Sequence, residues 1–206
     1  MNAGLLLGYE VLASLLPLVA GLLLWGHRQK QCGRMTAASV WIRAGILAVY
    51  AVGMAHVTGA GTVYDLFLYG GVIRPEQINL LPFSRQVDLT AYLLNIVLFL
   101  PFGFLAPWFC SRMSGPGRVA AGGLSLSLLV ELSQLLNNRS TDVDDLLLNT
   151  LGALAGWAVY RMVRRWLPQL RQVMPVGLLW ASLLLPFAGR FLLFYEVGVA
   201  KFLYGF

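Results

Sequence analysis

The sequence predicts an all-α, polytopic transmembrane helix bundle of about six spans, with a short interfacial or re-entrant segment between spans two and three. Three observations carry this. Of the 206 residues 58% are apolar and only 12% charged. The mean hydropathy of +0.72 lies above the range of water-soluble domains. Apolar runs of about 20 residues, the length that crosses a hydrocarbon core, alternate with short polar or basic segments. Such a chain forms a single membrane-embedded helical domain over residues 1–206, with no room for a separate soluble one.

The first run, Leu5 to Trp25, has no basic stretch before it and no small-residue cleavage site after it. It therefore reads as a retained span near 4–25 and not as a signal peptide. A second span lies near 38–58, with His56 at its end as a satisfied interfacial histidine. Val63 to Ile73 is too short to cross, and its Tyr64, Asp65, Tyr69 and paired glycines suit an interfacial or re-entrant piece. Ile78 to Phe83 sets Asn79 and Pro82 among apolar residues, which suits a loop in the interface. Span three, near 90–109, carries Asn95 in its outer third and Pro101, which removes a backbone hydrogen bond and favours a kink. Spans four, five and six follow near 119–137, 145–163 and 175–195. Pro17, Pro107 and Pro186 fall inside or at the ends of spans, where lipid-embedded helices tolerate them. Arg190, near the end of span six, is expected to pair with Glu196 or with an acid of the cluster described below.

Short basic loops stay in the cytoplasm. Arg28, Lys30, Arg34, Arg112, Arg118, Arg161, Arg164, Arg165 and Arg171, nine of the fifteen basic residues, follow spans one, three and five. The opposite side holds all nine acidic residues, so both termini are predicted outside. Acids contribute little to topology. Their segregation therefore reflects either a functional outer surface or chance among so few. Cys32 and Cys110 fall in the basic segments, where disulfides are rare, and form no metal pattern. A net charge of +6 does not mark a nucleic-acid binder, because the arginines are interleaved with apolar spans; lipid headgroups are the expected partner.

Chemistry concentrates between spans four and five. Glu131 and Gln134 share one face of span four near its outer end. On span five Asp142, Asp145, Asn149, Gly152 and Gly156 recur at helical spacing as one stripe, polar outside and small inside. Small residues let membrane helices approach closely. The glycines are expected against span four through Gly123 and Ser127, drawing Glu131 and Gln134 towards Asp145 and Asn149, with Arg139 neutralising one carboxylate. Charged and amide groups at membrane depth read as a site. Bland roles compete: Asp142 or Thr141 as the cap of span five, Asp144 or Asp145 as complements of its dipole, Gln134 and Asn149 as interhelical glue. Glu131, inside the apolar run Leu124 to Leu136, offers no capping service.

The segments INLLPF at 78–83, NIVLFLPFGF at 95–104 and ELSQLLNNRSTDVDDLLLNTLGALAG at 131–156 together resemble the VanZ-like family of bacterial integral membrane proteins. The resemblance places a family-like core over roughly 62–163. It implies that the functional residues are Asn95, Glu131, Gln134, Arg139, Asp142, Asp145 and Asn149, with Pro101, Gly103, Gly152 and Gly156 shaping the helices. The family is associated through its named member with resistance to the glycopeptide teicoplanin. That implies a multi-pass protein of the bacterial cytoplasmic (inner) membrane with an outer-face role near cell-wall precursors.

Four functions then compete. The cluster holds a polar or lipid-linked headgroup, such as that of a lipid-linked cell-wall precursor or a lipoglycopeptide, with Arg139 bonding the anion and Gln134, Asn95 and Asn149 orienting it. Alternatively, Glu131 and Asp145 serve an intramembrane hydrolase or transferase on a lipid-linked substrate, Glu131 acting as general acid or base and Asp142, Asp144 and Asp145 holding a divalent cation. No Ser-His-Asp order, Cys-His pair or histidine-rich motif supports this second function. A scaffold of a membrane complex is the third, and a transporter, with no internal repeat to support it, the fourth.

Overall fold

The computed structural model describes residues 3–33, 36–84, 88–167 and 173–196. Arg34, Arg171 and both chain ends, used above for orientation, lie outside the described residues. The elements are α1 (Ala3–Gln31), α2 (Ala38–Thr58), α3 (Val63–Leu68), β1 (Ile78–Asn79), α4 (Leu89–Phe109), α5 (Pro116–Leu135), β2 (Thr141–Asp142), α6 (Val143–Trp166) and α7 (Val176–Leu193). The six long helices coincide with the six expected spans, and the chain is an all-α polytopic bundle. Helix α1 continues past Trp25 to Gln31 because Arg28 and Lys30 fall in its last turn, where cations favour the negative end of the helix dipole.

Five stretches are long and apolar enough to cross a membrane: Gly4–Gln31, Ala38–Leu68, Leu89–Phe109, Val143–Trp166 and Val176–Leu193. Helix α5 has the length but is diluted by Gly117, Arg118, Gly122, Gly123, Ser125, Ser127, Glu131, Ser133 and Gln134. Pro116 begins α5 at a position where its missing N–H costs nothing. Helix α4 starts at Asp88, whose carboxylate accepts the N–H groups of Thr90 (2.9 Å) and Ala91 (3.2 Å). It then runs as one helix through Pro101 and Pro107. Helix α3 is a six-residue turn closed by reciprocal bonds between Thr62 and Asp65, too short to span, as expected.

The chain divides into two compact units. The first contains α1, α2, α3 and most of α7. There a Cβ on Gly189 of α7 would lie 2.5 Å from the carbonyl oxygen of Ala13 and 2.7 Å from that of Ser14, so α7 presses directly on the α1 backbone. The second unit contains α4, α5, α6 and the β1–β2 pair.

In the second unit the glycine stripe finds a partner other than the expected one. A Cβ on Gly152 would sit 2.3 Å from Ile96 O, one on Gly156 2.1 Å from Leu100 O, and one on Gly103 1.9 Å from Ala153 O. These glycines seal α6 against α4, not against α5. Helix α5 packs on the adjacent row of α6, with a Cβ on Gly123 falling 2.7 Å from the Ala153 methyl. A small-residue stripe specifies close approach but not which neighbour approaches, and Gly103 on α4 supplies the matching gap.

The segment Ile78 to Phe83, expected as an interfacial loop, pairs in parallel with the start of α6: Ile78 opposite Thr141, Asn79 opposite Asp142. Leu80 and Leu81 stay exposed beyond that short ladder.

Candidate functional site

In the second unit the C-terminal end of α5, the N-terminal ends of α4 and α6, and the β pair carry Asn95, Glu131, Gln134, Asp142, Asp144, Asp145 and Asn149. Arg112, Arg118, Arg161, Arg164 and Arg165 belong to the opposite helix ends.

Asp142 is the N-cap of α6. One carboxylate oxygen accepts Asp144 N–H at 3.0 Å and the other accepts Asn79 Nδ2 at 3.0 Å, so a single side chain caps the helix and anchors the 78–83 segment. Asp144, buried, takes Phe83 N–H at 2.9 and 3.2 Å and the Tyr92 hydroxyl at 2.7 Å. Phe83 reaches it with φ 54°, in the left-handed region. The Phe83 and Tyr92 rings meet nearly edge-on, with centroids 6.1 Å apart. These two acids therefore tie β1, α4 and α6 together. Among the described residues no group of three or more His, Cys, Asp or Glu is placed to hold a metal ion.

From the next residue of α6 the bonding changes character. Asp145, half-buried, accepts a hydrogen bond from the Asn95 amide of α4. Asn149, 3% exposed, donates through Nδ2 to Ser127 Oγ of α5 at 2.8 Å, while its Oδ1 is buried with no partner. Glu131 of α5 is 2% exposed. Its backbone carbonyl accepts Thr141 Oγ1 at 3.1 Å, and its carboxyl group accepts the Asp142 backbone N–H, while Oε2 itself is buried without a donor. The carboxylates of Asp145 and Asp142 act on it electrostatically. Asn95, Asp145, Glu131, Ser127 and Asn149 thus form one polar layer between α4, α5 and α6, rich in acceptors.

The remaining expected residues frame this layer. Gln134, half-buried, accepts the backbone N–H groups of Asn137 and Arg139 at its own carbonyl, both at 3.2 Å, and so closes the α5–α6 turn. Arg139 is exposed on that turn, and its carbonyl receives Gln77 Nε2 at 3.3 Å. The same amide donates to Asn138 Oδ1 at 3.1 Å, with Asn138 at φ 61°. Pro101 lies within α4, on the stretch that α6 approaches through Gly152 and Gly156.

A second buried acid was passed over. Glu10 of α1, 5% exposed, binds Arg190 Nε of α7 through Oε1 at 2.7 Å and His56 Nδ1 of α2 through Oε2 at 2.7 Å. Arg190 therefore takes Glu10 in place of its expected partners, Glu196 or an acid of the cluster, and His56 shares the same carboxylate. Arg190 also stacks over the Phe194 ring at 5.3 Å. Glu10 had the same signal as Glu131, an acid within an apolar run. Ser127, expected against span five, does bond Asn149 of α6, whereas Tyr92 and Asn79 carry no such signal because their bonds span 52 and 63 residues.

Among known proteins, the model of the family described as VanZ/LLP1 matches residues 47–164, more than half of the chain. The matched stretch contains the whole polar layer and His56 but neither Glu10 nor Arg190. No curated protein and no solved structure matches the chain.

Proposed function

The chain belongs to the VanZ/LLP1 family, and from that premise we propose that it is a multi-pass membrane protein of the bacterial envelope that binds a polar, lipid-linked headgroup at the Glu131 layer. The observation that supports this most is the free Oε2 of Glu131, buried at 2% exposure between two helices. An unpaired buried acceptor carries a desolvation cost of about 1–3 kcal/mol, more when charged, and an occupant that donates hydrogen bonds removes it. Asp145 acts electrostatically on the same carboxyl group, and Asn95 and Asn149 belong to the same polar layer through Asp145 and Ser127. Asp142 and Asp144 serve the site by holding its walls.

The acidic end faces outward in this proposal, with both termini outside and the protein in the cytoplasmic membrane. There it would meet lipid-linked cell-wall precursors and lipid-tailed glycopeptides, and protection against teicoplanin would follow from occupying or withholding such a headgroup.

The test is native mass spectrometry of protein released gently from membranes, wild type against Glu131→Gln. Wild type should carry a lipid that the variant loses while both elute as the same folded species. An empty wild type overturns the proposal and favours a scaffold. A second function, an intramembrane hydrolase or transferase using Glu131 as general base, draws on the same free oxygen. It differs in outcome: Glu131→Gln would then retain the lipid-linked substrate and stop converting it.

A further inference from the structure

We infer that the group seated against Glu131 and Asn149 is a protonated amine. The inference rests on the headgroup-binding proposal above and adds the chemistry of the ligand. Two buried oxygens, Glu131 Oε2 and Asn149 Oδ1, come from different helices and lack donors. Ser127, one helical turn before Glu131 on the same face of α5, receives the Asn149 amide at 2.8 Å. Both atoms are acceptors, as is the carboxylate of Asp145 one turn from Asn149 on α6. Asn95, the donor that reaches Asp145, is neutral.

Three kinds of occupant can be compared. A phosphate or carboxylate presents only acceptors and negative charge, and would meet Glu131 Oε2 and Asn149 Oδ1 acceptor to acceptor, beside carboxylates of like sign. A hydroxyl satisfies an acceptor and leaves the charge untouched. A primary ammonium supplies three N–H donors and one positive charge in the volume of a single heavy atom. It supplies donors to the orphaned acceptors on two helices, and its charge pairs with whichever of the Glu131 and Asp145 carboxyl groups is ionised. A metal ion would also bring charge, but among the described residues the side chains are not grouped to ligate one. Amine recognition therefore fits both the atom types and the sign of the layer.

The experiment uses the full chain in detergent, loaded with phosphatidylethanolamine, phosphatidylcholine or phosphatidylglycerol of identical acyl chains and read by native mass spectrometry. Phosphatidylethanolamine should be retained about tenfold more strongly than either other lipid, a difference of about 1.4 kcal/mol. The preference should vanish in Glu131→Gln and weaken in Asn149→Leu, both checked for an unchanged elution volume. Phosphatidylcholine is the decisive control, since its cation has no N–H. Methylammonium chloride alone separates the sources: if it displaces phosphatidylethanolamine the amine itself is recognised, and if it does not the amine must be lipid-borne. Retention of phosphatidylglycerol or phosphatidylcholine equal to that of phosphatidylethanolamine, and lost in Glu131→Gln, overturns the amine and leaves the headgroup site standing. Retention of none of the three in a Glu131-dependent manner overturns both.

Discussion

Glu10 and Glu131 are both acids inside apolar helices and both are almost completely buried, at 5% and 2% exposure, yet their surroundings are opposite. Both oxygens of Glu10 are taken, one by the Arg190 guanidinium and one by the His56 ring, each at 2.7 Å. Glu131 keeps an oxygen with no donor and has Asp145 and Asp142 as its charged neighbours. Burial by itself does not separate a structural carboxylate from a functional one. The charge of the donors differs: Glu10 meets a guanidinium and an imidazole, whereas the Glu131 carboxyl group is reached by the neutral Asp142 N–H.

The contrast is breakable at its structural end first. Glu10→Leu leaves the Arg190 guanidinium buried without its carboxylate, and should cost about 3–5 kcal/mol, seen as a large drop in thermal unfolding midpoint. Adding Arg190→Met should recover most of that loss, since an apolar pair of similar volume replaces a buried ion pair at little cost. A tolerated Glu10→Leu would mean that the triad is not what joins α1, α2 and α7. Glu131→Gln stands opposite it, losing bound lipid while keeping the wild-type midpoint.

Tyr92→Phe tests whether Asp144 belongs to the walls or to the site. The substitution removes one hydrogen bond from the buried Asp144 carboxylate. The 78–83 segment should become more sensitive to protease while lipid retention changes little. Loss of lipid with unchanged protease resistance would move Asp144 into the binding layer. His56→Ala sets the lower bound. With the His56 side chain 54% exposed, its loss should cost under about 1 kcal/mol by equilibrium unfolding. A larger cost would show that the imidazole is as much a part of the Glu10 pairing as Arg190.

The six long helices were legible in the sequence because each is a continuous apolar run between polar breakers, and lipid leaves a backbone few alternatives to a helix. Asp142 as the cap of α6 was legible for a similar local reason. So was the convergence of Asn95, Glu131, Asp145 and Asn149 on one end, because each lies within two turns of a helix terminus on the same side.

The pairings were not legible. Gly152 and Gly156 announce a close contact, but only the fold selects Ile96 and Leu100 of α4 over Gly123 of α5. Arg190 was open to any outward acid, and its carboxylate lies 180 residues away on α1. The sequence alone determined which segments are helices, which ends are acidic and which residues are too polar for their depth, since these depend on composition and period along the chain. Tertiary structure alone decided which of those polar residues are satisfied, because satisfaction depends on which helix faces which, and a periodic pattern carries no information about its neighbour.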